Sequence, residues 1–180
     1  MEGARLAGRP AEQVALTHAC PGCGSDAHGR PVLVCDHRVL PVQVSLSRAR
    51  GRSVVALTVG VGVAVGIDVE EVAGTGFDGF DDVCLHPEER ASTPVQRAVV
   101  WTRKESLLKA CGTGMRIDPR LVRLSGPDEP PRVLECPGLG VPVDRMWMSD
   151  LDVGDGWAGA LTVLSAVPAA PADRSPAATR

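Results

Sequence analysis

The sequence predicts an α+β domain in which a largely antiparallel sheet packs on one long helix, and three observations carry that prediction. Apolar and polar residues alternate with a period of two in Val42–Leu46, Ser53–Val59 and Val63–Glu70, as half-buried strands do. One stretch, Val95–Cys111, carries the helical period instead, and strand patterns resume after it. The order is thus strands, helix, strands, without the regular alternation of a parallel α/β sheet. At 180 residues the chain is one domain or two small lobes sharing a core, and 44% hydrophobic residues suffice to bury one.

The elements follow in chain order. Residues 1–19 are weakly patterned, with a helical turn expected around Glu12 to Thr17, and 20–31 form a Cys/Gly/Pro loop. Strand Val42–Leu46 leads through the basic turn Arg48–Arg52 into strand Ser53–Val59. Gly60 suits a hairpin into the next strand, where Val63, Val65, Ile67 and Val69 share one face. A short helix is expected in 74–91, ending in Leu85-His86-Pro87-Glu88-Glu89-Arg90. Pro94 opens the long helix, and Gly112 and Gly114 end it. Strands are expected at Arg120–Leu124, Arg132–Cys136, Asp144–Leu151 and Trp157–Val167. The organisation expected is a partial N-terminal lobe with the cysteine loop over 1–50, a larger lobe over 51–167, and a disordered Pro/Ala-rich tail over 168–180.

Composition excludes several function classes. A net charge of −3 leaves no electrostatic footprint for nucleic acid, and five aromatic residues make no base-stacking platform. No apolar run is long enough to span a membrane, and Met1-Glu2-Gly3-Ala4-Arg5 lacks the apolar core of a secretory signal, so the cytoplasm is expected. In that compartment the six cysteines are expected as thiols. Cys20-Pro21-Gly22-Cys23 has the spacing of half a zinc site, with Cys35 and His37 the candidates to complete it. A second CxxC or an HxxxH is missing, so a glycine-rich turn with free thiols is expected and zinc is not.

Chemistry concentrates in two segments. In Gly66-Ile67-Asp68-Val69-Glu70 the carboxylates at i and i+2 point to one face of a strand, opposite the valines. Such a pair is tolerated in water or around a cation, and a hard ion such as Mg²⁺ is held by one or two carboxylates plus substrate phosphates. Taken alone, the pair fits a solvated strand end at least as well. On the helix, Val100, Trp101, Leu107, Leu108 and Cys111 fall on one arc, with Glu105 and Lys109 adjacent on its rim. Lys104 falls inside the apolar arc, and only two of the chain's basic residues are lysines besides seventeen arginines. A lysine placed there needs a partner.

Together the two segments resemble the 4′-phosphopantetheinyl transferases, whose motifs read G-[IV]-D-[IVL]-E and W-x-x-K-E-[AS]-x-x-K-x-x-G-x-G. Gly66–Glu70 and Trp101–Gly114 carry every fixed position, in order and about thirty residues apart. Upstream, Cys23-Gly24, His28-Gly29-Arg30-Pro31 and Val44-Ser45-Leu46-Ser47 look like the larger pseudodimeric type, which has a [GN]-[KR]-P loop and an N-x-S-H-S strand. The resemblance covers roughly residues 20–167.

That resemblance implies an enzyme moving the phosphopantetheine arm of coenzyme A onto a serine of an acyl or peptidyl carrier protein, Mg²⁺-dependent, in secondary metabolite biosynthesis. Asp68, Glu70 and Glu105 are the implied Mg²⁺ ligands, and Glu105 the implied acceptor of the serine proton. Lys109 is implied to pair with the pyrophosphate, and Arg30 and Ser45 to contact the nucleotide end of coenzyme A. Trp101 and Lys104 are read as structural, Lys104 through an acid partner. Two departures stand out. Leu46 replaces the family's His, which helps hold the 3′-phosphate. The N-terminal half is shortened, implying a cleft open on one side, covered by a second copy of the chain or by a partner. The alternative is an impaired or repurposed homologue that binds a carrier protein or coenzyme A without transfer.

Overall fold

The structure is a computed structural model that describes residues 2–20, 22–113 and 116–165. Strands β1 (Ala15–Ala19), β2 (Arg30–Cys35), β3 (Arg38–Ala49) and β4 (Arg52–Val59) form one antiparallel sheet in the order β1-β2-β3-β4. Strands β5 (Val63–Glu71), β8 (Met146–Asp150) and β9 (Trp157–Ser165) form a second, in the order β5-β9-β8, also antiparallel. A small ladder joins β6 (Arg123–Leu124) to β7 (Val133–Glu135). Helices α1 (Glu2–Leu6), α2 (Phe80–Cys84) and α3 (Pro94–Cys111) complete the fold. The class is the mixed α and antiparallel β one that the patterns imply.

Four differences from expectation have physical causes. The segment Glu12–Thr17, rich in helix formers, becomes a short 3₁₀ turn and then β1, because pairing with β2 overrides local preference. The loop expected through residue 31 ends earlier, with Arg30 and Pro31 already in β2; proline is accepted at the start of a strand. The short helix stops at Cys84, and the Leu85–Arg90 segment is irregular chain pinned by side chains. The turn expected at Arg48–Arg52 tightens to Arg50 and Gly51, both with positive φ, so the first sheet continues past residue 50 to Val59. The expected tail over 168–180 and the helix-ending Gly114 lie outside the described residues.

Helix α3 is the centre of the molecule. Thr93 caps its start, accepting from the Gln96 amide at 3.2 Å, and Pro94 occupies the first turn. Gly112 ends it in the left-handed region at φ +69°, which glycine adopts without the cost a side chain brings. The helix is buried on nearly every side and not only along one arc. Leu107 and Leu108, both fully buried, pack with Val122, Leu124, Val133, Met148 and Leu164, and each such side chain contributes about 1.5–3 kcal/mol. Among the described residues no helix is long and apolar enough to cross a membrane.

Two buried cations fix the orientation of α3. Lys104, with no exposed surface, pairs with Glu89 at 2.6 Å and donates to the carbonyls of Cys84 (2.8 Å) and Pro119 (2.9 Å). Glu89 also accepts from the amides of His86 and Leu124, so the ion pair is fully hydrogen-bonded. Burial pulls the Lys104 ammonium below its ordinary value, and Glu89 opposes that pull. Arg103, equally buried, makes a bidentate pair with Asp150 at 2.8 and 2.7 Å and donates to the carbonyls of Gly126 and Glu129.

Candidate active site

The site begins with a glycine. A Cβ at Gly66 would lie 1.9 Å from the Ser106 carbonyl oxygen and 2.4 Å from the Ala110 nitrogen, so strand β5 and helix α3 touch backbone to backbone. The small side chain of Ser106 shares this contact, donating to the Arg103 carbonyl and meeting the Thr162 hydroxyl on β9 at 2.7 Å. Two residues along β5 on the same face stands Asp68. One turn of α3 spans Glu105 and Lys109. Close packing at Gly66 therefore faces the acids of the strand with the acid and base of the helix.

Asp68 is 2% exposed. Its Oδ1 accepts from the Lys109 ammonium at 2.5 Å and from the Ser47 hydroxyl at 2.7 Å, while Oδ2 is buried with no partner. An orphaned carboxylate oxygen in a buried site is costly, and it marks a position prepared for something absent. Burial raises Asp68 above the usual carboxylate range, opposed by Lys109 and Ser47. Glu70 and Glu105, both half-buried, are likewise raised, first by burial and then by repulsion from Asp68. The neighbouring Trp101 side chain draws Glu70 the other way. The carboxylate oxygens of Asp68, Glu70 and Glu105 do not all lie within 4.8 Å of one another, as expected of mutually repelling anions. All three offer only oxygen, the donor set of a hard cation such as Mg²⁺. The orphaned Oδ2 and the three raised carboxyls together fit such an ion.

Lys109 links this cluster to a cavity of about 740 Å³. Arg30, Ser45, Leu46, Gly112 and Arg116 are among its walls. Arg30 Nη2 is buried without a hydrogen-bond partner, and burial lowers the guanidinium from its ordinary value. A half-buried cation lacking an anion is a phosphate-seeking group. Ser45, also buried, uses its Oγ to accept the Ile67 amide at 3.0 Å, so it ties β3 to β5 as well as lining the cavity.

A profile described as the 4′-phosphopantetheinyl transferase superfamily matches residues 64–154, which take in Asp68 and Glu70 of β5 and all of α3. The chain belongs to that superfamily. Holo-[acyl-carrier-protein] synthase from Thermotoga maritima is 27% identical over the matched part, with a TM-score of 0.48. That match covers 57% of this chain and 62% of the synthase, so this chain spans about three fifths of that protein's length. No curated protein matches the chain.

For this phosphopantetheinyl transferase relative, the structure brings Asp68, Glu70, Glu105 and Lys109 into one electrostatic group and sets Arg30 and Ser45 in the cavity that Lys109 reaches. Lys104 stands apart, paired with Glu89. Sequence reading missed three contributors. Ser47 holds Asp68, Trp101 lowers the Glu70 carboxyl, and Arg116 adds a cation to the cavity. Ser47 had a signal, since β3 alternation puts it on the face of Ser45.

Proposed function

We propose that the protein transfers the 4′-phosphopantetheine arm of coenzyme A to a serine of an acyl or peptidyl carrier protein. The observation that carries this is Asp68, held by Lys109 and Ser47 on one oxygen and orphaned on the other, beside a cavity in which Arg30 Nη2 is buried without a partner. Asp68, Glu70 and Glu105 would hold Mg²⁺, which when bound supplies charge stabilisation at the pyrophosphate. Lys109 and Arg30 neutralise phosphate oxygens as the substrate settles in the cavity. Glu105 is raised above its ordinary value by burial and by the Asp68 charge, a shift in the direction that strengthens a carboxylate as a base. It takes the proton of the carrier serine as that oxygen attacks the phosphorus on the pantetheine side. The bond to the bridging oxygen breaks, and adenosine 3′,5′-bisphosphate leaves with its electron pair. Positioning and charge, more than covalent chemistry, account for the rate in this reading.

A second reading rests on Leu46, which lines the cavity with an apolar side chain where the family's histidine would stand. It makes the protein a coenzyme A or carrier binder without transfer. Incubating apo carrier proteins with the chain, coenzyme A and Mg²⁺, followed by intact mass measurement, separates the two. A mass gain of one phosphopantetheine supports transfer. Coenzyme A binding by calorimetry without any gain across fatty-acid, polyketide and peptide carriers supports the binder. A second copy or the carrier itself covers the open side of the cavity in the transfer reading. Light scattering that finds a strict monomer during turnover removes the second copy from it.

A further inference from the structure

Cys20, Cys23 and His28 bring one ligand atom each to within 4.8 Å of one another, the one group of three or more such residues among those described. The Cys23 sulfur lies 3.4 Å from His28 Nε2. Neither Cys35 nor His37, the completing ligands suggested by spacing, belongs to it; Cys35 is buried in the core of the first sheet, and its sulfur faces Asp36.

The loop is built to hold this arrangement. The Cys20 amide donates to the Ser25 carbonyl at 3.0 Å, and the Gly24 amide returns to the Cys20 carbonyl at 2.8 Å. The Ala27 amide donates to Ser25 Oγ at 3.1 Å, shaping the return toward His28. Gly29 follows with φ +106°, and a Cβ there would sit 2.6 Å from the Ala19 carbonyl oxygen and 2.7 Å from the Cys20 Cα. Only glycine lets the chain pass so close, and that passage sets His28 against the cysteines.

We propose that Cys20, Cys23 and His28 form a zinc site on the rim of the cavity, with a fourth position left to solvent or to a bound ligand. Two sulfurs and one imidazole nitrogen are the soft and borderline donors zinc selects, unlike the oxygen set around Asp68. Cys20 lines the same cavity as Arg30, and the loop ends where β2 begins at Arg30. Metal binding therefore ties down the wall that presents the Arg30 guanidinium. This site stands independently of the transfer reading, since its ligands are not those of the acidic cluster.

The test is metal binding by the full chain. Zinc titration of the reduced protein should reach one equivalent per chain in native mass spectra and should shield two thiols from alkylation. Co²⁺ in place of zinc should give the visible bands of a tetrahedral ion and a thiolate charge-transfer band in the near ultraviolet. Cys23→Ser and His28→Ala should each lower zinc affinity by at least tenfold, while Cys136→Ser keeps it. Absence of thiolate bands with Co²⁺ overturns the proposal. So does zinc binding that survives in both ligand variants.

Discussion

Replacing Gly66 by alanine tests the geometry on which the acidic cluster depends. The added methyl carbon would start 1.9 Å from the Ser106 carbonyl oxygen, and real contacts of this kind do not fall below 3.0 Å. Strand and helix must separate by about 1 Å, and both obstructing atoms belong to helix backbone, which cannot rotate away. Overpacking of this kind costs about 1–3 kcal/mol. For a chain of this length each kcal/mol lowers Tm by about 2–4 °C, so a fall of roughly 2–12 °C is expected in a thermal melt. Misplacing catalytic groups by about 1 Å costs on the order of 10²-fold in rate. Carrier modification by Gly66→Ala should therefore fall about a hundredfold under conditions where the variant remains folded by circular dichroism. A variant with native Tm and native transfer rate would refute the argument that this contact sets the distance between β5 and α3.

Glu105→Gln removes a carboxylate that burial and Asp68 both disfavour in its charged form. Transfer should drop by about 10²–10⁴-fold, the usual contribution of a positioned base, while Tm without metal stays level or rises. Lys104→Met leaves Glu89 buried without its cation, and loss of one member of a buried pair costs about 3–5 kcal/mol; urea unfolding should show a reduced midpoint with an unchanged slope. The acidic cluster also fixes a pH dependence. Asp68, Glu70 and Glu105 all have folded pKa values above their unfolded ones, so the folded chain holds more protons in that window. The cluster's own contribution to stability without metal is accordingly greatest below the ordinary carboxylate range and declines as pH rises through the raised values. Melts at several pH values, with and without Mg²⁺, check this: added Mg²⁺ should flatten the decline at the high-pH end.

Much of the site was legible because its chemistry is local. Asp68 and Glu70 share a strand face by alternation, and Glu105 and Lys109 share a helix face by their spacing. The anomaly of Lys104 was visible in the same way, since a charge in an apolar arc announces a hidden partner. Its identity was not, because Glu89 lies in irregular chain whose course is set by tertiary hydrogen bonds. The same limit explains β1. Nothing in Ala15–Ala19 marks a strand until β2 is beside it. His28 escaped notice as a neighbour of the cysteines because its approach depends on a tight backbone pass at Gly29, a constraint that spacing rules do not encode.

Strand β5 lies at the border of its sheet, with β9 on one flank. On the other, hydroxyls of β3 take the place of a main-chain ladder: Ser45 receives the Ile67 amide, and Ser47 grips Asp68. This seam blunts a border that would otherwise invite another chain to add itself. It also means that the two sheets are stitched at Asp68, the acid at the centre of the proposed chemistry. Removing either hydroxyl is expected to loosen the stitch, freeing the strand border and displacing Asp68 together.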